Sequence, residues 1–342
     1  MNFRLPLCCI LIVCLIVGQV IARQSGVLLQ PDAVAYGMGG AGIAASKTVS
    51  YYLLNPAANA SLKSIAYSIS HTYWLGVFNF EQAQAGFKLR YGAITAGVRY
   101  LYLDTKPTVY NDNNDTHVLT FNNVTLAGSY ALSVQKHFRS GITMKYISEE
   151  IAQEKGNALL FDAGVQKGFV LPAGSTGEDL TFGLSVRNIG SAVKLGSQEV
   201  KPVLSISAGV RYVPIDPLCI LADIEKQSER HSIGAFGASY SLPANIELRS
   251  GVQLQERLSV QSGIGVKLNF KAVDVFLDYS FSYASFVETS HWLTVRISYW
   301  NSHTSVYPES VSEKESKLPV TLEPDDLEES SIGKSETNTL TE

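Results

Sequence analysis

Residues 93–103 read AITAGVRYLYL, with Ile94, Ala96, Val98, Tyr100 and Tyr102 on one face and Thr95, Gly97 and Arg99 on the other. A period of two with unlike faces is the mark of a strand that separates two environments. Residues 203–212, VLSISAGVRY, repeat the pattern: Leu204, Ile206, Ala208, Val210 and Tyr212 stand against Ser205, Ser207, Gly209 and Arg211. The word AGVRY occurs in both. Working outward, segments of this kind centre near residues 68, 85, 98, 129, 144, 163, 184, 208, 221, 236, 249, 264, 277 and 295, with no helical period between them. The expectation is an all-β chain of about fourteen strands, an even number that suits a closed antiparallel transmembrane barrel.

The face opposite the apolar one decides between a barrel and a soluble sandwich. It carries Lys88, Arg90, Arg99, Lys145, Asp162, Arg187, Arg211, Asp223, Glu225, Glu247, Arg249, Lys267, Asp274, Asp278 and Arg296, mixed with Gly, Ser, Thr and Gln. That is the lining of a wet lumen, whereas a sandwich places its apolar faces in a shared core. Composition agrees: charged residues are 17% of the 342, and Gly (27), Tyr (17) and Phe (14) are plentiful. A net charge of −4 without a basic stripe argues against nucleic acid as a partner.

Connection lengths offer an orientation, because outer-membrane barrels pair short periplasmic turns with longer external loops. The third (YLDTKPTVYNDNNDTHVLTF), fifth (around EEIAQEKGN) and seventh (around NIGSAVKLGSQEVKP) read as long. The even ones are mostly tight, at 90–92, 136–141, 213–217, 241–245 and 270–272, with 171–180 the exception. Both termini are therefore expected in the periplasm of a diderm cell. The last strand, HWLTVRISYW, ends on Tyr299 and Trp300, placed for a membrane–water boundary.

The two ends of the chain differ from the middle. After Arg4, the run LPLCCILIVCLIVGQVIA closes on Val20-Ile21-Ala22, which reads as a signal peptide over residues 1–22. A retained anchor and a lipoprotein are the alternatives; Val13 precedes Cys14 where a lipoprotein would carry a small residue. Cleavage would remove Cys8, Cys9 and Cys14 and leave Cys219. Residues 301–342 hold ten Asp or Glu against three Lys, a balance of −7 that leaves +3 on the rest, and read as an acidic disordered periplasmic tail.

Between the signal peptide and the barrel (62–300), residues 23–61 contain GMGGAG, which fits the G-x-G-x-x-G spacing. A phosphate cradle needs a buried strand before it and an acid about 20 residues after it. Here QSGVLLQPDAVA precedes it, and the first carboxylate beyond Asp32 is Glu81. Small residues instead let backbone pack tightly inside a lumen, and Asn-Pro makes a sharp turn. AYGMGGAGIA followed by YYLLNPAAN resembles the N-terminal hatch of the FadL-type long-chain fatty acid transporters and their PorV/PorQ-like relatives. Gly37, Gly39, Gly40 and Gly42 match the glycine run, and Asn55, Pro56 and Ala57 match the Asn-Pro-Ala turn. The stretch SKTVS, where acids usually stand, and the long acidic tail depart from that pattern.

The resemblance implies an outer-membrane transporter with a hatch in its lumen, taking up long-chain fatty acids or similar hydrophobic molecules. A carboxylate head would be met by lumen cations, for which Arg99, Lys145, Arg187 and Arg296 are the candidates. Phe236, Phe276 and Leu101 are the hint of an apolar pocket on the lumen side. Outer-membrane lipid and a periplasmic partner of the tail are the other expected contacts. Two further readings stay open: an accessory barrel that docks secretion machinery or secreted proteins, as PorV-like relatives imply, and a structural or adhesive barrel. No enzyme, cofactor or metal is expected: His71, His117, His137, His231, His291 and His303 are scattered, with neither H-E-x-x-H nor G-x-S-x-G present. The sequons at Asn59, Asn114 and Asn123 carry little weight in a bacterial-type barrel.

Overall fold

The computed structural model describes residues 29–299, apart from 75–76, 104–107, 111–115, 119, 153, 172–177, 229 and 285–286. The expected signal peptide, the first residues of the hatch, Trp300, Asn114, His303, the acidic tail and the side chain of His117 lie outside the described residues.

In chain order the strands are β1 (Ala66–Trp74), β2 (Phe78–Leu89), β3 (Gly92–Leu103), β4 (Thr108–Tyr110), β5 (Thr116–Val118), β6 (Phe121–Gln135), β7 (Phe138–Ile151), β8 (Glu154–Phe169) and β9 (Leu180–Gly190). They continue as β10 (Val193–Leu195), β11 (Gln198–Val200), β12 (Ser205–Ile215), β13 (Leu218–Gln227), β14 (Ile233–Leu242), β15 (Ile246–Leu254), β16 (Leu258–Asn269), β17 (Val273–Ala284) and β18 (Val287–Tyr299). Fourteen of them close into one antiparallel barrel, sealed by β1 on β18 with Ala66 opposite Ser298. Each expected strand centre falls inside one of these fourteen. Closure satisfies every ladder and leaves no edge, which a spanning sheet requires.

Alternation sets the two faces. Ile69, Ile94, Val98, Leu126, Ile142, Phe182, Leu184, Ile206, Ile224, Leu277 and Leu293 point outward and are exposed. Ser68, Ser70, Thr72, Gln82, Gln84, Thr95, Thr125, Ser205, Ser207 and Thr294 point inward and are buried. Phe236 breaks the expectation: it is 49% exposed on the outer face, because its neighbour Gly237 is the inward residue and lies against Met38. Phe276 and Leu101 do face the lumen, Phe276 beneath the Arg296 guanidinium. Arg90 belongs to the β2–β3 turn, over the Tyr91 ring, rather than to the lumen.

The connections are asymmetric, though less than the sequence suggests. The third carries the β4–β5 hairpin and the seventh the β10–β11 hairpin. The fifth is a tight turn instead of a long loop: EEIAQEKGN is absorbed into β7 and β8, Ile151 pairs with Glu154, and Ala152 turns the chain at φ 57°. The even connections are short except the one between β8 and β9. β1 begins at Ala66 rather than near Leu62, because Leu62 closes a 3-10 helix (Pro56–Ser61).

Candidate functional site: the hatch and the lumen around it

Residues 29–62 pack inside the barrel. Helix α1 (Ala33–Gly37) is short and owes its start to Asp32, whose Oδ1 accepts the Ala35 amide at 2.8 Å. The other oxygen of Asp32 accepts the hydroxyls of Thr48 (2.7 Å) and Ser50 (2.5 Å), so the SKTVS stretch is stitched back to the helix cap. α1 is moored to the wall by the Ala33 amide on Thr294 Oγ1 (2.9 Å) and by Ser280 Oγ on the Ala33 carbonyl (2.7 Å).

The glycine run serves close approach. Gly39 and Gly40 have φ of +70° and +83°, and a side chain at Gly39 would meet main-chain atoms of Val252 at 2.7 Å. Gly37 and Gly42 have Ser280 Oγ and Leu54 Cδ1 at similar range. On the wall side, Gly237 and Gly251 supply the matching room against Met38 and Gly39. The next hatch residues are gripped by Asp223, whose Oδ2 accepts the amides of Gly42 (2.6 Å) and Ile43 (2.9 Å).

Asn55 joins three parts of the molecule. Its Oδ1 caps the 3-10 helix through the Ala57 amide (3.0 Å), and its Nδ2 donates to Ile43 O (2.8 Å) within the hatch and to Val165 O (3.1 Å) on β8. Pro56 follows at the first helical position, where its missing N–H costs nothing. Both strands beside this turn yield space: Gly164 faces Asn55 and Gly141 faces Pro56. Asn59, one of the sequons, is buried and donates to Val49 O (2.7 Å) and Thr95 Oγ1 (2.9 Å).

All four candidate head-group cations face the lumen, are buried, and are engaged. Lys145 meets Asp162 at 2.7 Å and Asn188 Oδ1 at 2.5 Å, beside a bulge in which Asn188 adopts φ 65° opposite Asp162. Arg187 pairs with Glu225 at 2.5 Å. Arg296 pairs with Asp278 at 2.7 Å, and Arg249 shares that carboxylate at 2.8 Å. Arg99 donates to Gln82 Oε1 (3.0 Å) and to the Leu29 carbonyl of the hatch (2.7 Å). Their direct partners differ, but Arg99, Lys145 and Arg187 stand close enough for their charges to act on one another. Lys47 of the hatch reaches the same ladder through Glu247, which also takes Arg249 at 3.0 Å.

Beside Arg99, whose guanidinium lies 4.8 Å over the Phe80 ring, the lumen is apolar. Phe78, Phe80, Leu101, Leu103, Phe121 and Trp292 are buried together with Ala33, and Leu29, Tyr36, Trp74 and Ile151 pack against them. Tyr36 of α1 stacks on Trp292 with centroids 4.8 Å apart, and Phe80 meets Trp292 edge-on at 6.1 Å. Burial raises the pKa of the Tyr36 phenol, whose hydroxyl donates to Ser282 (2.6 Å), so it remains neutral. Ile151 also packs on a second cluster, where Val193 and Leu195 of the β10–β11 hairpin cover Ile147 and Leu160. These residues lie at the strand ends that carry the two hairpin connections.

Of this apolar sector the sequence reading held only Leu101. The signal was available: Phe78 and Phe80 share the parity of Gln82 and Gln84, and Trp292 shares that of Thr294 and Arg296.

Solved structures with the same fold are the Pseudomonas putida toluene transporter TodX, the Ralstonia pickettii toluene transporter TbuX and the monoaromatic hydrocarbon channel CymD. TodX superposes at TM-score 0.59 with 10% identity, over 80% of this chain and 98% of its own. TbuX gives 0.56 with 14% identity over 79% and 97%, and CymD 0.56 with 10% over 80% and 97%. At such identities the likeness is one of fold, and at that level it agrees with the FadL-type barrel expected from the hatch; nothing in it bears on PorV-like relatives. No curated protein matches the chain. The profile of an uncharacterised protein family, UPF0164, matches residues 19–301, and the chain belongs to that family.

Proposed function

We propose that the protein is an outer-membrane barrel that takes up small hydrophobic molecules, entering at the end that carries the two hairpins, with the termini in the periplasm. The observation that carries this is the aromatic sector itself: six large apolar side chains face inward in a barrel where many inward positions are polar, and they end on α1 of the hatch. A structural lumen has no need of them, since polar residues hydrate or pair at the same positions. The cargo named for the fold neighbours, toluene and monoaromatic hydrocarbons, is of the same class.

A long-chain fatty acid is the finer form of this reading. Its chain would lie along the same side chains, while its carboxylate would have to displace a resident partner of Arg99, Lys145, Arg187 or Arg296. The geometry therefore favours apolar cargo over anionic cargo.

The test uses Trp292 as a reporter. With Trp74 and Trp300 changed to Phe, the full chain in lipid nanodiscs is titrated with bromododecane, whose bromine quenches nearby indole. Saturable quenching that weakens roughly fivefold or more in Phe80→Ala supports uptake through this sector. Quenching that only rises linearly with probe in the lipid overturns it.

A further inference from the structure

We infer that the lumen also holds a polar subsite for a hydrogen-bond-donating head group, a hydroxyl or an ammonium, and that it disfavours carboxylates. This rests on the uptake reading above and names the kind of amphiphile the site accepts.

The subsite is a cavity of about 50 Å³ between the hatch, at Gln30 and Gly40, and the wall, at Arg187, Asp223, Glu225 and Gln227. Its charge balance is negative. Arg187 and Glu225 cancel one another at 2.5 Å, whereas Asp223 has only backbone amides as partners and, among the described residues, no cation within ion-pair range. Among its fully buried side-chain atoms, the unused hydrogen-bonding capacity is mostly accepting. Gln227 is 4% exposed, and its Oε1 has no partner. The orientation of that amide is set by its Nε2, which donates to Glu225 Oε1 at 2.7 Å. Gln30 Oε1 and Asp223 Oδ1 are likewise buried without a partner, against one donor, Arg187 Nε.

Buried acceptors without donors are costly, and an incoming O–H or N–H would satisfy them. A carboxylate would instead place more acceptors beside Asp223. The volume is ample for a hydroxyl or an ammonium group. The connection to the apolar sector is direct in the chain: Leu29 packs on the aromatic cluster, and the next residue, Gln30, lines the cavity.

The experiment compares four probes of equal chain length with bromine at the far end: bromododecane, bromododecanol, bromododecylamine and bromododecanoate. Each is read by Trp292 quenching in nanodiscs of the full chain. The alcohol and the amine are expected to bind roughly fivefold or more tightly than the alkane and the carboxylate. An amine above the alcohol assigns the gain to the charge of Asp223; equal gains assign it to the amide acceptors. Gln227→Leu should remove the gain while leaving the alkane affinity unchanged, and Gln253→Leu, across the same cavity, is a second variant should the first fail to fold. Equal binding of all four, as for a cavity that holds only water, or a preference for the carboxylate, overturns the subsite. If the alkane does not saturate but the alcohol and amine do so through Gln227, the subsite stands and hydrocarbon uptake falls. If none saturates, both fall.

Discussion

The two sides of the lumen follow the same alternation and reach opposite chemistry. On β15 to β18, inward positions carry Glu247, Arg249, Asp278 and Arg296, which bind one another and extend through Lys47 to the hatch. On β2, β3, β6 and the first half of β18, they carry Phe78, Phe80, Leu101, Phe121 and Trp292, which bury one another against α1. Facing inward in a wet barrel is therefore not one environment. Charges of both signs consume each other and become scaffold, while apolar side chains have only weak, replaceable contacts to lose to a hydrophobic guest.

The ionic side should break hardest. Asp278→Ala leaves Arg249 and Arg296 buried beside one another without their shared carboxylate, and should cost about 3–5 kcal/mol in denaturant unfolding followed by heat-modifiable gel migration. A loss below about 1 kcal/mol would mean that lumen water screens this ladder as it does an exposed pair. On the apolar side, Phe80→Ala should cost about 3 kcal/mol by the same measurement if the sector is as closely packed as a protein core. A much smaller loss, recovered when bromododecane is added, would mark the sector as a chamber rather than a core.

The seam between hatch and wall comes next. Gly39→Ala forces a side chain into a left-handed backbone position already filled by Val252 main chain, and should cost about 2 kcal/mol. Limited proteolysis should then cut within residues 38–54 of the variant while the barrel stays closed; an uncut hatch would show that the seam adjusts.

The smallest effect lies outside the spanning strands, where Glu178 ties the β8–β9 connection to the β6–β7 turn. Its carboxyl accepts from Arg139 at 2.7 Å and meets His137 Nδ1 at 2.9 Å, and the Arg211 guanidinium donates to its carbonyl at 3.0 Å. Burial acts to raise its pKa, but the His137 hydrogen bond and the Arg139 charge outweigh burial and hold it below the ordinary 4.5. A depressed carboxyl stabilises the folded protein above the unfolded-chain value, and that contribution is lost as pH falls through the folded value. Protease nicking of the β8–β9 connection should thus rise as pH falls below the ordinary 4.5, and Glu178→Gln should show the same nicking at neutral pH with no further rise in acid. A variant that keeps the wild-type pH profile would place the fastening elsewhere.

Much of this molecule is legible locally. Strand number and the direction of most side chains are carried by a period of two within segments of about ten residues, so AITAGVRYLYL alone tells which side faces lipid. Phe236 was misread because a single residue of parity separates lumen from membrane, and only contact with Met38 reveals that Gly237 is the inward one. The glycine run and Asn55-Pro56 were also readable, since positive φ, close approach and a capped proline turn are demands on individual residues.

What pairs with what was not readable. Ala33 meets Thr294 across 261 residues and Asn55 meets Val165 across 110, distances over which composition carries no register. The fifth connection looked like a loop because its residues are polar, yet strands that rise beyond the membrane into water are polar too. By its alternation the sequence determined a closed antiparallel barrel. Only closure of β1 on β18 decided which inward residues became neighbours, and with that whether a given lumen cation was free for a ligand or already bound to the wall.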